Sequence, residues 1–131
     1  MIAPQPLDPG VWRLPLRTPT LPPAEATNTL VVGSRRLAVV EPATPYRAEQ
    51  DALDAHLAAR AAAGCEVAAV LVTHHHGDHT GYAFALARRV GAPIYAHAQT
   101  AARLDFPVDV ALGDGDCVDL GDGYVLRALF T

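Results

Sequence analysis

An unbroken run of six apolar residues, from Val67 to Val72, constrains the fold of this chain more than any other feature. A strand that is apolar on both sides is typical of the centre of a sheet, because each of its faces then packs against other elements. Of the 131 residues, 50% are hydrophobic, which is enough for one domain with a core of its own. We therefore expect a sheet built around this run and covered on both faces.

Strands and helices are predicted to alternate around that run. Prolines exclude a helix from residues 1–26 and leave room for one short strand at 11–16, at an edge of the sheet. A hairpin is predicted at 27–41 around Gly33-Ser34, and a helix at 45–64, where leucines recur at helical spacing. The remaining predicted elements are helices at 83–91 and 98–104, and strands at 94–97, within 108–123 and at 124–130. This order predicts an α/β fold, a mixed β-sheet with helices on one face.

The second face of this sheet has no predicted cover. The helices can pack on one side of residues 67–72, and nothing else in the chain is predicted to cover the other side. The sequence also stops in mid-pattern at Leu129-Phe130-Thr131, without the polar or capped ending usual at a domain boundary. We therefore expect residues 1–131 to be the N-terminal part of a larger single domain. The open face would be buried against the missing C-terminal half or a second copy of the chain.

Charge and cysteine content argue against several classes of protein. A net charge of −4, with no Lys/Arg cluster larger than a pair, argues against nucleic acid and anionic lipid as partners. No apolar run approaches the roughly 18 residues that span a bilayer, and the N-terminus lacks the pattern of a signal peptide. A cytoplasmic location is therefore expected. Cys65 and Cys117 have no CxxC partner, so each is expected to be a small buried hydrophobe, with a metal-ligand or disulfide role as the alternative.

Four of the six histidines lie in the segment THHHGDHTG, directly after the apolar run. Open α/β sheets place their functional sites at this end of a strand. His74 and His76 lie two residues apart, and in an extended segment such residues project to the same side. Gly77 allows a sharp turn that returns Asp78 and His79 to the same point. Imidazole and carboxylate ligands together suit Zn²⁺, with iron or manganese as alternatives, so a metal site is predicted here.

This segment resembles the H-x-H-x-D-H motif of the metallo-β-lactamase superfamily, which His74, His76, Asp78 and His79 match. The resemblance extends along essentially the whole chain, from the hairpin to the final strand YVLRALFT. It implies half of a four-layer αβ/βα sandwich, with three further metal ligands downstream. By this likeness His74 and His76 belong to a first metal site. Asp78 and His79 belong to a second, so two zinc ions are expected in the complete domain.

Hydrolysis by a metal-activated hydroxide is the function that this resemblance implies. Two metal ions would activate a bridging water and polarise a small-molecule ester or thioester, and Asp78 would be the catalytic residue that orients the water or relays its proton. The sequence THHH most resembles that of glyoxalase II-like thioesterases and of the β-lactamase-like hydrolases near them, and His79 argues against hydrolysis of antibiotics. Two alternatives remain: an endoribonuclease of the same superfamily, and a non-catalytic half-domain that binds a partner through its open sheet face. The isolated chain is expected to be inactive, since it has two ligands per metal.

Four other residues have structural or open roles. His75 is expected to point away from its neighbours, as a structural or substrate-facing side chain. Glu41 matches a position where the family usually has an aspartate that braces the metal ligands, and it is equally consistent with a plain strand-end carboxylate. His97 is expected to be a satisfied core or surface residue, with a place at the mouth of the site as the alternative. His56 is expected to be structural.

Overall fold

A computed structural model of the chain describes residues 4–18, 26–73 and 81–129. The strands in these ranges are β1 (Gln5–Asp8), β2 (Val11–Arg17), β3 (Ala26–Gly33), β4 (Arg36–Val40), β5 (Glu66–Val72), β6 (Ile94–His97), β7 (Val110–Leu112), β8 (Cys117–Asp119) and β9 (Val125–Arg127). The helices are α1 (Arg47–Ala62), α2 (Ala83–Val90) and α3 (Ala98–Ala101). None of the helices in the described ranges is long and apolar enough to cross a membrane.

Seven strands form one mixed sheet in the order β1 to β7. The pairs from β1 to β4 are antiparallel, and the pairs from β4 to β7 are parallel. A parallel pair needs a crossover connection, and the described residues of each of the three crossovers include a helix. All three helices contribute side chains to the core on the same face of the sheet. The predicted α/β fold, a mixed sheet with helices on one face, is therefore confirmed.

The face that carries the helices has the larger core. Leu53 and Leu57 lie one turn apart on α1, and Leu86 projects from α2, so each helix presents an apolar stripe to the sheet. These side chains pack against strand residues of the same cluster, namely Leu14, Leu16, Val31, Leu37, Val39, Val70, Val72 and Ile94. Burial of each such side chain stabilises the fold by about 1.5–3 kcal/mol. This core therefore holds α1 and α2, and the loops that connect them, against the sheet.

Strand β5 is apolar on both faces because both are packed, as its sequence predicts. Val70 and Val72 face the helices and are almost completely buried. Ala69 and Leu71 belong to a second apolar cluster on the opposite face. The run from Val67 to Val72 is therefore, as expected, a strand in the interior of the sheet that is packed on both faces.

The second face of the sheet is covered in part, which corrects the expectation that nothing in the chain covers it. Strands β8 and β9 form a separate two-stranded hairpin that lies on this face. Val118 and Leu120 of this hairpin are buried against Val32 and Leu112 of the sheet. In both strands of the hairpin the middle residue faces the sheet and the residues beside it are exposed to solvent. Cys117 lies on the solvent side, and the prediction that it is buried is wrong.

The side chain of Tyr124 connects this hairpin to the turn between β1 and β2. The Tyr124 hydroxyl donates a hydrogen bond to the Pro9 carbonyl oxygen at 3.0 Å. The phenol ring lies directly against Gly10, which has a φ of 76° and has no room for a Cβ atom. Glycine is therefore required there both for the turn between β1 and β2 and for the approach of the tyrosine.

Strand β2 is not at the sheet edge, because β1 pairs with its outer side. The strand predicted at 11–16 is confirmed, and the edge position is wrong. Proline is tolerated in an edge strand, where one set of backbone groups has no partner strand, and Pro6 occupies such a position. A hydrogen bond from Arg13 to the side chain of Gln5 adds to this pairing. The proline-rich segment thus contains two strands, β1 at the edge and β2 inside it, where one was predicted.

The stability of the fold is expected to depend on the ionisation of His56. Its side chain is buried in α1, with its ring centroid 5.1 Å from that of Trp12, and the Arg60 guanidinium lies over the same indole. Burial, and secondarily the charge of Arg60, lower the pKa of His56 from 6.5. The unfolded chain therefore binds this proton more tightly than the folded chain. The stabilisation from neutral His56 is present above pH 6.5 and is lost as the pH falls toward the lowered pKa.

Urea unfolding from pH 7.5 to 5.5 measures this dependence. We expect His56→Leu to remove part of the acid-induced fall in the unfolding midpoint, because the other histidines remain in both proteins. Parallel pH profiles for the two proteins would show that His56 does not contribute.

Candidate metal centre

The predicted ligands His74, His76, Asp78 and His79, together with His75, lie outside the described residues. No three His, Cys, Asp or Glu side chains come together as a metal site within 4–18, 26–73 and 81–129. The structure therefore shows how the two ends of the segment 74–80 are held, and the ligand positions themselves stay a prediction.

The segment begins at the edge of the sheet where the parallel strands end. Glu41 follows β4, Thr73 follows β5, and His97 is the last residue of β6. Because these strands are parallel neighbours, their carboxyl ends lie side by side. Loops at this edge form the ligand sites of open α/β sheets. The position of Thr73 thus agrees with a functional site that starts at the next residue.

Glu41 holds the residue that precedes the predicted ligands. Its Oε1 atom accepts hydrogen bonds from the backbone N–H and the hydroxyl of Thr73, at 2.5 Å each. Its own N–H donates to the Leu71 carbonyl at 2.9 Å, and its carbonyl accepts from the Thr29 hydroxyl at 2.7 Å. The residue is only 8% exposed, and its φ of 59° is rare for a side chain other than glycine. Glu41 is therefore a strand-end carboxylate that is buried and bonded to the residue before the predicted ligands, and a role in bracing the ligands themselves stays a prediction.

The far end of the segment is held by the two residues that follow Glu41. The Tyr82 N–H donates to the Pro42 carbonyl at 2.9 Å. Gly81 lies against the Ala43 carbonyl so closely that a Cβ atom at position 81 would overlap it. Three consecutive residues after β4 therefore contact both the entrance and the exit of the segment that contains the predicted ligands.

A polar cluster at the surface end of α1 and α2 holds the side chain of Tyr82, which follows this exit. The Tyr82 hydroxyl lies 3.0 Å from each carboxylate oxygen of Asp54 in α1, and Arg89 in α2 donates to Asp54 Oδ2 at 2.6 Å. Burial, followed by the hydrogen bond to Asp54, raises the pKa of Tyr82 above 10. The phenol is therefore neutral at pH 7 and donates its proton to the carboxylate. The sequence analysis missed this cluster, because residues 28 and 35 positions apart leave no local pattern.

His97 lies beside the site and has a local structural role. Its Nδ1 atom accepts a hydrogen bond from the Gln99 N–H at 3.2 Å, so the imidazole caps the short helix α3. Within the same turn, the Thr100 hydroxyl lies 3.5 Å from the Thr73 carbonyl oxygen. His97 also lines a groove next to Thr73. Both roles considered from the sequence, a satisfied histidine and a residue near the mouth of the site, therefore agree with its position.

This groove, called the apolar groove below, has a volume of about 370 Å³ and lies between the sheet and the β8–β9 hairpin. It reaches Thr73 and His97 at the edge where the predicted ligands begin. Its other walls include Leu30, Val40, Leu71, Tyr95, Leu126 and Leu129. The hairpin therefore leaves part of the second sheet face uncovered, next to the candidate site.

The donor chemistry of the segment fits a zinc ion. Three imidazoles and one carboxylate supply the nitrogen and oxygen ligands that Zn²⁺ accepts in proteins. Within residues 4–18, 26–73 and 81–129, neither cysteine belongs to a group of three possible ligands. Cys65 is partly buried and its thiol donates to the Ser34 carbonyl, and Cys117 is exposed; both are free. The residues available for a metal are thus those of the segment after Thr73.

Comparisons with known proteins agree with this fold. Residues 22–111 match the sequence profile of the metallo-beta-lactamase superfamily. A hydroxyacylglutathione hydrolase of Acidiphilium cryptum is 47% identical over 70 residues, which cover 53% of this chain and 28% of that protein. One from a Bradyrhizobium species is 38% identical over 94 residues, which cover 70% of this chain and 36% of that protein. The matched part is thus about a third of the length of these curated relatives.

Solved structures with the same fold cover nearly the whole chain. A metallo-beta-lactamase from Cronobacter sakazakii superposes with a TM-score of 0.78 at 19% identity, over 100% of this chain and 55% of that one. A metallo-beta-lactamase from Pontibacter korlensis gives 0.77 at 18% identity, over 99% of this chain and 60% of that one. At these identities the likeness concerns the fold alone. The profile match, which spans more than half of the chain, shows that the chain belongs to the metallo-beta-lactamase superfamily.

Proposed function

We propose that this chain supplies the N-terminal part of a metal-dependent hydrolase that acts on a thioester. The observation that carries the proposal is the segment His74-x-His76-x-Asp78-His79, which starts directly after Thr73 at the carboxyl edge of the sheet in a chain of this superfamily. The relatives with the higher identities are named hydroxyacylglutathione hydrolases, and a hydroxyacylglutathione is a thioester. Identity of 47% and 43% supports a shared substrate class more strongly than the fold likeness to β-lactamases.

The four ligand residues would hold zinc, with iron or manganese as alternatives. His74 and His76 would serve one ion, and Asp78 and His79 a second ion in the complete domain. A bound metal of this kind supplies a water with a pKa near 7 and polarises a carbonyl oxygen. Asp78 would in addition orient that water and accept its proton. Glu41 would fix the backbone of Thr73 and thereby the direction in which the chain enters the ligand segment.

Residues 1–131 would form the N-terminal part of a single metallo-β-lactamase-like domain. The solved structures extend well beyond the part that this chain covers, since 55% and 60% of their length is matched. The apolar groove is the surface on which the C-terminal half of such a domain, or a second copy of the chain, would be buried. We infer that the thioester would bind where that half meets the carboxyl edge of the sheet.

A comparison of three substrates tests this proposal. The complete domain, residues 1–131 together with the proposed C-terminal half, is incubated with S-lactoylglutathione, a single-stranded oligonucleotide and nitrocefin, with and without a chelator. We expect hydrolysis of S-lactoylglutathione that the chelator abolishes and added Zn²⁺ restores. Activity on the oligonucleotide alone would instead support the endoribonuclease. Absence of both hydrolysis and metal binding would support a non-catalytic half-domain and contradict the proposal.

A further inference from the structure

The chain leaves the predicted ligand segment through Tyr82, which starts helix α2. The Tyr82 carbonyl accepts the first hydrogen bond of that helix, from the Leu86 N–H at 2.9 Å. Its own N–H is bound to the Pro42 carbonyl, and its side chain is only 6% exposed. The residue lies three positions after His79. Tyr82 therefore fixes the chain a short distance after the last predicted ligand.

The side chain of Tyr82 is held from two helices at once. Asp54 in α1 accepts the phenol hydroxyl at 3.0 Å, and Arg89 in α2 donates to the same carboxylate. The Asp54 side chain is 15% exposed, so water competes little for these bonds. A hydrogen bond between a hydroxyl and a carboxylate is stronger than one between neutral groups. The two helices and the end of the ligand segment are thus joined by one charged acceptor.

We propose that Tyr82 is a positioning residue for the metal centre, held by Asp54 and Arg89. The proposal rests on the proposed metal-dependent function and adds to it residues that ligate nothing themselves. Glu41 acts on the entrance of the segment through Thr73, and Tyr82 acts on the exit. Loss of the phenol hydroxyl frees the start of α2 from α1, and the ligands that precede it then reach a metal in a less defined arrangement. Groups that hydrogen-bond metal ligands directly contribute about 10–100-fold to metal affinity, and the effect of Tyr82, which acts through the backbone, is expected at the lower end of that range.

Hydrogen exchange of the metal-free chain provides a first test that does not depend on metal. Tyr82→Phe keeps the ring in the core and removes the hydroxyl. The matched control is Tyr124→Phe, which removes a hydroxyl bound at 3.0 Å to the Pro9 carbonyl on the other face of the sheet. We expect faster exchange of peptides that cover residues 73–83 in Tyr82→Phe and unchanged exchange of these peptides in Tyr124→Phe. Equal exchange in the wild type and Tyr82→Phe would overturn the proposal.

Titration with Co²⁺ provides the second test, because its visible absorption reports ligand geometry. We expect Tyr82→Phe to weaken Co²⁺ binding about 10-fold, the lower end for such partners, and to shift the absorption bands. Asp54→Ala should behave like Tyr82→Phe. Asp54→Asn, which keeps an oxygen acceptor for the phenol, should recover much of the affinity. Tyr124→Phe should leave affinity and spectrum unchanged, even where its melting temperature falls as far as that of Tyr82→Phe.

The two tests separate the failure of this inference from that of the proposed function. A wild-type chain that binds no Co²⁺ would contradict the metal centre, and the exchange experiment would still decide whether Tyr82 positions the segment. Wild-type affinity and spectrum in both Tyr82→Phe and Asp54→Ala would overturn the positioning role. The cluster would then only connect helix α1 to helix α2.

Discussion

Substitution of Asp78 by alanine is expected to lower the rate of hydrolysis by about 10²–10⁴-fold, the usual contribution of a positioned acid or base. In the proposed function Asp78 is both a ligand of the second metal and the group that handles the proton of the attacking water. Its removal therefore affects the nucleophile and the metal together. The fold should change little, since the cores on both faces of the sheet consist of other residues.

Metal content, circular dichroism and the rate of S-lactoylglutathione hydrolysis are measured for the complete domain and for its variants. His76→Ala should reduce both metal content and rate, because it removes one of the two ligands of the first site. His75→Ala is the matched control within the same segment, since its side chain is predicted to point away, and it should retain the metal. A His76→Ala variant with the metal content and rate of the wild type would contradict the predicted ligand set.

The second large effect concerns the association of the 131-residue chain studied by itself. Apolar side chains line the groove of about 370 Å³, and Leu129 at its rim is 66% exposed. Apolar surface of this kind is normally buried in a soluble protein, so we expect the isolated chain to form dimers or larger species as its concentration rises. It should also bind metal weakly, because two ligands per ion are fewer than the three protein ligands usual in catalytic zinc sites.

Light scattering over a range of concentrations, with and without Zn²⁺, measures this association. Leu129→Glu places a charge at the rim of the groove and should shift the chain toward the monomer. Leu7→Glu is the control, because Leu7 is also exposed, at 48%, but lies on β1 and does not line the apolar groove. It should leave the association unchanged. A wild-type monomer that binds two metals tightly and hydrolyses any of the three substrates would contradict the expectation that this chain is incomplete by itself.

Local patterns in the sequence determined the elements of the fold and their order. The spacing of Leu53 and Leu57 predicts α1, and the apolar run from Val67 to Val72 predicts the central strand, because each depends only on which side chains share a face. The motif after β5 likewise identifies candidate ligands from spacing alone, and the family follows from the same residues. Such patterns can be recognised in the sequence because the periods of the helix and the strand are only a few residues long.

Contacts between residues far apart in the chain were decided by the tertiary structure alone. Glu41 reaches Thr73 across 32 positions, and Asp54 reaches Tyr82 across 28, so neither pair produces a periodic signal. The strands of the β8–β9 hairpin lie within the predicted segments 108–123 and 124–130, but the surface that the hairpin covers follows only from the packing of the sheet. The apolar residues at alternate positions of a strand indicate that one of its sides is buried. The identity of the element that buries that side depends on the path of the whole chain.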